Sequence, residues 1–295
     1  MDALSSLNQA LATAVDRAAA AVVQVHGHRR PAAGVVFAPD LVLAPAAALD
    51  DDVATIRVAG GATHEAAVLG RAFALGLAVA RVPGLGITPL ETAPEPAVGH
   101  LAIAIGRTWS GGVMATVTNV AVVGGPLRTG RSSQIERVIR LAQPPHGALT
   151  GGALVDGAGR ALGVVTGADI RETTVVIPAA IAWAAGQQIV EKGGTKQGYL
   201  GISSSPVKLP AGQRGGRDQA AGLLVSGVVE GSPAAAAGVL VGDVILAFDG
   251  AAVEDAEALL TLLRGDRLGK PATLTVLRGG ELRDISVTVG ERGRR

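Results

Sequence analysis

Gly147-Ala148-Leu149-Thr150-Gly151-Gly152-Ala153-Leu154-Val155 is the stretch on which the reading of this chain turns. Paired glycines after a hydroxyl residue mark a tight loop, and the apolar run 153–155 behind them reads as a short strand. A hydroxyl held in such a loop raises the question of nucleophilic chemistry. At neutral pH that chemistry needs a base within about 3 Å to take the proton. The rest of the chain decides whether Thr150 has one, and what scaffold carries it.

The 295 residues suffice for two or three domains with cores of their own. Hydrophobic residues make up 48% and aromatic residues 2%, so those cores must be built from Val, Leu, Ile and Ala. Gly at 42 and Pro at 15 favour many turns and short strands over long helices. A net charge of +1 gives no field to steer the chain to nucleic acid or an anionic membrane. The basic residues at 292–295 read as a solvated tail. With no cysteine there is neither disulfide nor thiolate metal site.

No apolar run is long enough to span a membrane; the longest, 175–185, contains Pro178. Asp2, Ser5, Ser6, Asn8 and Gln9 stand where a signal peptide carries basic and then apolar residues. As given, the chain reads as soluble and cytoplasmic; a native start further upstream would make it periplasmic or otherwise extracytoplasmic.

Working outward from the loop, strands are expected at 100–105, 112–123, 135–141, 153–155, 161–166 and 174–177. An earlier set is expected at 34–37, 41–44, 55–58, 66–69 and 77–82, separated by Pro39-Asp40, Asp50-Asp51-Asp52 and Gly60-Gly61. The triple Asp lacks the spacing of a calcium loop and reads as a solvated turn. Two groups of about six strands suggest paired antiparallel barrels. Gly157-Ala158-Gly159 reads as a turn between strands, because no helix follows it as a dinucleotide loop requires.

Leu4, Leu7, Leu11, Val15 and Ala18 recur at helical spacing, predicting a short N-terminal amphipathic helix over 3–20 and an N-terminal segment 1–20. His26 and His28 would share one face of the strand that follows, but with no third ligand nearby no metal is expected. Residues 179–192 read as a closing helix, with Gly193-Gly194-Thr195 ending it and 193–197 as a linker.

From Gly198 a separate unit begins, extending over 198–291. Tyr199-Leu200-Gly201-Ile202, Gly222-Leu223-Leu224-Val225, 232–238 (Ser-Pro-Ala-Ala-Ala-Ala-Gly) and 241–250 (Val-Gly-Asp-Val-Ile-Leu-Ala-Phe-Asp-Gly) occur in the order of a PDZ domain, which this unit resembles. A helix at 254–263 and strands at 272–278 and 282–289 complete it, and the polar, Gly-rich 206–219 is expected to be a loop.

Together these motifs identify the chain as similar to the HtrA/DegP family, trypsin-like serine proteases with a C-terminal PDZ domain. The resemblance covers about 22–290 and implies a mainly β fold. A chymotrypsin/trypsin-like double β-barrel at 21–192 would precede the PDZ domain. The family's nucleophile loop reads Gly, Asn, catalytic Ser, Gly-Gly-Pro-Leu-Val; here Thr150 stands at the Ser position. The segment that carries the family's His is matched by residues 43–49, Leu-Ala-Pro-Ala-Ala-Ala-Leu, which puts Ala47 at the His. The segment that carries its Asp is matched by 75–80, Leu-Gly-Leu-Ala-Val-Ala, which puts Gly76 at the Asp.

All three triad positions are thus substituted, and the expected function is that of a pseudoprotease: a scaffold or regulator without catalytic residues. His146 is the nearest substitute base by sequence, but it would lack an orienting carboxylate; His64 and His100 read as strand-edge residues. The oxyanion amides, expected at Ala148 and Thr150, would supply only a residual effect.

What the resemblance leaves intact is peptide capture. Tyr199, Leu200, Gly201 and Ile202 would form the carboxylate-binding loop, Ile202, Ser203 and Ser204 the pairing strand, and Leu259 and Leu263 an apolar pocket wall. The alternative for each of these is simple membership of the core. Expected partners are C-terminal peptides, unfolded proteins or other protein partners, with trimerisation implied by the family; no cofactor is expected. Two alternatives remain: an active endopeptidase with an unconventional site, and a regulatory subunit of an active homologue.

Overall fold

Asp2 accepts the Ser5 amide at 2.7 Å and opens helix α1 (Ala3–Ala19). The computed structural model describes every residue except 1, 28–30, 50–51, 129–133, 143–145, 171–172, 193–197, 211, 213, 215–217, 264–266 and 292–295. It divides into two compact units, one up to residue 194 and one from residue 195. The apolar stripe of α1 seats only its second half: Ala14, Ala18 and Ala19 are buried, while Leu4 and Leu7 are exposed. Arg107 closes the helix, its Nη2 donating to the Ala19 carbonyl and its Nε to the Val22 carbonyl, each at 2.7 Å.

The first barrel contains β1 (Val22–His26), β2 (Ala32–Ala38), β3 (Leu41–Pro45), β4 (Val53–Arg57), β5 (Thr63–Ala72) and β6 (Leu77–Arg81). They close in the order β1-β2-β3-β6-β5-β4. Alternate Val, Leu, Ile and Ala side chains point inward, which is how a core forms with so few aromatic residues. Gly34 is required where β1, β2 and β3 crowd together, since a Cβ there would lie 2.8 Å from Val25 Cγ2.

The second half of this unit contains β7 (Leu101–Arg107), β8 (Val113–Gly124), β9 (Leu127–Arg128), β10 (Gln134–Ile135), β11 (Val138–Leu141), β12 (Ala153–Val155), β13 (Ala161–Ile170) and β14 (Thr173–Pro178). A second closed barrel runs β11-β14-β13-β12-β7-β8, with β9 and β10 paired beside it. The single strand expected over 135–141 is therefore two. The chain leaves the ladder at Glu136 and Arg137, where the Arg137 guanidinium forms a two-bonded pair with the Glu95 carboxylate. Ile103, Ile105, Ala153 and Val155 join the residues of the first barrel in one core, which holds the barrels together. Helix α2 (Ala179–Lys192) spans the expected residues and sets Trp183 edge-on to Phe37, ring centroids 6.0 Å apart.

The second unit contains β15 (Gly198–Tyr199), β16 (Ile202–Lys208), β17 (Ala221–Val228), α3 (Pro233–Ala236), β18 (Val244–Phe248), β19 (Ala251–Ala252), α4 (Ala256–Leu262), β20 (Pro271–Arg278), β21 (Glu281–Thr288) and β22 (Gly290–Glu291). Its main sheet runs β16-β17-β18-β20-β21, with β19 beside β18 and β15 paired to β22. The loop expected from 206 starts later, because Pro206, Val207 and Lys208 continue β16 against Leu223, Gly222 and Ala221. An edge strand tolerates a proline, whose missing N–H leaves only one side of the ladder incomplete. Helix α4 starts at Ala256 rather than 254 because Asp255 caps it, accepting the Ala258 amide at 2.8 Å. Among the described residues no helix is long and apolar enough to cross a membrane.

Candidate functional site

Pro45 is the point on which three distant segments converge. It ends β3 opposite Leu77 of β6, and one residue on, the Ala46 amide donates to the Gly76 carbonyl at 2.8 Å. The single 3-10 turn Ala46–Ala48 therefore carries Ala47 beside Gly76. From the second barrel, the Thr150 carbonyl accepts the Ala33 amide at 3.0 Å. Gly151 follows with φ +84°; a Cβ there would lie 2.1 Å from the Ala33 carbonyl oxygen and 2.4 Å from Pro45 Cδ. Only glycine allows that approach, and with it Ala47, Gly76 and Thr150 come to the junction of the two barrels.

The chemistry available at that junction is sparse. Ala47 offers a methyl group, and Gly76 offers no side chain and a backbone at φ +66°. His146, the candidate substitute base, has another role. Its Nδ1 accepts the Ala148 amide at 3.1 Å and so caps the 3-10 turn Gly147–Leu149. That bond assigns the proton of the neutral ring to Nε2.

The Thr150 amide donates to the Gly147 carbonyl at 3.1 Å, and the Leu149 amide to the His146 carbonyl at 2.8 Å. The Ala148 and Thr150 amides, the vestigial oxyanion donors expected from the sequence, are both bonded inside their own turn. Strand β7 backs the turn tightly: a Cβ on Gly106 would sit 2.4 Å from the Ala148 carbonyl oxygen.

The other histidines lie elsewhere. His64 is in β5, and His100 Nδ1 accepts the Ala97 amide at 3.3 Å just before β7. His26 Nε2 donates to Gln24 Oε1 at 2.8 Å. Burial, and then the positive charge of Arg57, hold the His26 pKa below the usual imidazole value. Gln24 is buried and its amide nitrogen donates to the Thr108 carbonyl at 2.7 Å and the Trp109 carbonyl at 3.2 Å. His28, Asp50 and Asp51 lie outside the described residues. Sequence reasoning missed Gln24, Arg107 and Arg71, whose Nε donates to the Leu49 carbonyl at 2.9 Å just past Ala47. Each binds backbone carbonyls, and a carbonyl leaves no mark in a sequence.

In the second unit, Tyr199 lies in β15, and Leu200 and Gly201 lead into β16. The carbonyls of Leu200 and Gly201 accept the Ala234 and Val229 amides, each at 2.8 Å. Their own amides have no acceptor among the described residues. Gly201 has φ +80°, and a Cβ there would lie 2.2 Å from Ser232 Cβ, so the turn admits only glycine. Ile202, Ser203 and Ser204 open β16, which pairs with β17 on one side and is the sheet's edge on the other. Leu259, within α4, and Leu263, its C-cap, are 4% and 3% exposed and pack in the core with Leu200 and Phe248.

Asp243, 1% exposed, holds the loop before β18 in place. Its carboxylate accepts Arg278 Nε at 2.7 Å, Arg278 Nη2 at 2.8 Å and the Leu240 amide at 2.8 Å. Burial alone would raise its pKa, but the Arg278 and Leu240 bonds outweigh it and hold the carboxyl below the usual range.

Known families match both units: a trypsin-like peptidase domain over residues 32–164 and a PDZ domain over 198–289. The serine endoprotease DegS of Escherichia coli K12 is 27% identical over 255 residues, which cover 82% of this chain and 71% of DegS. A probable periplasmic serine endoprotease, DegP-like, of Halomonas elongata is 35% identical over 115 residues, 39% of this chain and 24% of that protein. A DegP-like protein of Pseudomonas putida is 27% identical over 248 residues, 82% of this chain and 51% of its own length. The chain thus spans about half or less of these DegP-like relatives. Among solved structures, the HtrA-type protease AlgW with a tripeptide aligns over 97% of this chain and 98% of its own, with TM-score 0.55 and 25% identity.

Proposed function

Since the chain belongs to the HtrA family, a trypsin-like peptidase domain joined to a PDZ domain, we propose that it is a catalytically inactive member that binds peptides or protein partners through its PDZ domain. The observation that carries this reading is the junction at Pro45. We assign Ala47, Gly76 and Thr150 to the three triad positions, and there, among the described residues, the Thr150 hydroxyl has neither a base nor a group to orient one. The closed turn over Gly147–Leu149 supports it, because the Ala148 and Thr150 amides already have acceptors.

Peptide capture is assigned to the second unit. The unpaired edge of β16 can take an extended peptide as a further strand, and the Leu200 and Gly201 amides can receive its terminal carboxylate. AlgW, solved with a tripeptide, supports a peptide as the ligand class. Homo-oligomerisation is part of the proposal by family likeness alone. For the compartment, the DegP-like relatives, named periplasmic, point to the periplasm.

A second reading is favoured by those same relatives, which are named serine endoproteases: an active endopeptidase with an unconventional site. Hydrolysis of unfolded casein, wild type beside Thr150→Ala, separates the two. Silence from both, with saturable binding of C-terminal peptides, upholds the inactive reading. Turnover by wild type that the variant loses overturns it.

A further inference from the structure

We propose that His146 is a pH-operated latch on the turn Gly147–Leu149, closed while the imidazole is neutral and released when it is protonated. The latch is a property of the first unit and does not depend on the peptide-binding reading of the second.

The argument starts from what one nitrogen can do. A neutral imidazole has one acceptor nitrogen, and here it is Nδ1, engaged by the Ala148 amide at 3.1 Å. An imidazolium has no acceptor, so protonation converts this cap into two N–H groups facing each other. The bond cannot survive that change, and the ring must turn away from the amide. The turn is short, with three residues and few bonds of its own. The Leu149 and Thr150 amides reach back to His146 and Gly147, and among the described residues no other side chain caps its start. Because His146 is exposed, protons reach the ring without any opening of the fold.

The strands packed most closely against the turn are β2, β7 and β8. Strands β2 and β8 carry no titratable side chain. Strand β7 carries only Arg107, whose guanidinium is engaged with the Ala19 and Val22 carbonyls. The sequence neighbours Gln143, Pro144 and Pro145 on one side, and Gly147, Ala148 and Leu149 on the other, are not ionisable. None of these segments brings a carboxylate that would hold the imidazolium where the neutral ring now sits.

The expected sequence as pH falls is therefore loss of the cap, release of the Ala148 amide, and freedom for the turn that adjoins Thr150. The device would alter the former active-site loop without any change elsewhere in either barrel.

The test is nuclear magnetic resonance on the full chain, lowering the pH from about 8 to about 5, the range in which imidazoles titrate. Selective nitrogen-15 labelling of histidine reads the ring, and labelled alanine reads the Ala148 amide. The expected result is an Nε2–H tautomer for His146 at the upper pH. The Ala148 amide signal should then move with the same midpoint as the ring. In His146→Asn, whose side-chain oxygen can still cap the turn but does not titrate, the Ala148 shift should be lost. An Nδ1–H tautomer in the wild type, or an Ala148 signal that stays fixed while the ring titrates, overturns the latch. So does an Ala148 titration that persists unchanged in His146→Asn. The tautomer measurement needs no variant and stands even if the substitution disturbs folding.

Discussion

Gly151 lies so close to Pro45 that a Cβ on it would fall 2.4 Å from the proline Cδ, and this contact joins the loop of one barrel to the end of a strand in the other. The Ala33 carbonyl, 2.1 Å from the same point, leaves no direction in which a methyl group could turn. The backbone at φ +84° adds strain for any L side chain. Gly151→Ala is therefore expected to destabilise the first unit by about 2–4 kcal/mol. Gly147→Ala, where a Cβ meets nothing within 4 Å, is the control and should stay within about 1 kcal/mol of wild type. Urea unfolding of the two variants checks the contrast; equal stability would show that the junction relaxes.

Gln24 should behave as a clasp between the barrels. It bonds the Thr108 and Trp109 carbonyls across separations of 84 and 85 residues while its oxygen holds His26. Gln24→Ala leaves two carbonyls and an imidazole N–H without their partner, and should cost about 1–3 kcal/mol. Trp109, 64% exposed beside the clasp, supplies the readout. Its fluorescence should change in the variant, with Trp183→Phe as background so that a single indole reports. The pH dependence follows from the lowered His26 pKa. A depressed folded value contributes stability that is complete above the unfolded value of about 6.5 and is lost as pH falls from there through the folded value. Wild type should therefore lose more stability across that window than His26→Gln.

Much of this architecture could be read from spacing alone. The recurrence of Leu4, Leu7, Leu11, Val15 and Ala18 gave α1 to within a residue, and glycine and proline punctuation separated most strands of both barrels. Reading failed where a partner, rather than a pattern, decides the outcome. Pro206-Val207-Lys208 looks like a loop until β17 is placed beside it. Residues 135–141 look like one strand, yet the chain leaves the ladder at Glu136 and Arg137. Matching Ala47, Gly76 and Thr150 to the family's triad segments needed only the sequence. The closed turn beside them could not be read that way, because the His146–Ala148 bond joins a side chain to a backbone amide two residues away.

Asp243 offers a test of the second unit. Asp243→Asn keeps the shape and removes the charge that Arg278 binds, and should destabilise that unit by about 2 kcal/mol. The lowered carboxyl pKa gives the sign of the pH effect. Its contribution is present above the unfolded carboxylate value of about 3.9 and is lost as pH falls through the lower folded value. Thermal unfolding at neutral pH and again at a pH well below that carboxylate value should show a large gap between wild type and variant at the first and a small one at the second. A gap that persists in acid would mean that the substituted amide disturbs packing rather than charge.

The most demanding prediction concerns rebuilding the triad. Ala47→His, Gly76→Asp and Thr150→Ser together restore the three residue types of the family pattern, yet little turnover is expected. Position 76 holds φ +66°, a left-handed backbone that Asp40 and Asp249 also adopt here, so an aspartate can be placed there, but its aim at residue 47 is not set by the backbone. The Ala148 amide also remains bonded to His146 Nδ1, so it cannot stabilise charge developing on a substrate carbonyl. Adding His146→Ala removes that acceptor without adding a base. If the closed turn is what limits the rebuilt site, this fourth change should raise casein hydrolysis by up to the roughly 10²–10³-fold that one oxyanion donor is worth. Full turnover by the triple variant alone would show that the turn opens readily and that the triad substitutions are the only barrier. Silence from the quadruple variant would place the limit at Gly76 instead, where the backbone itself would have to be remade.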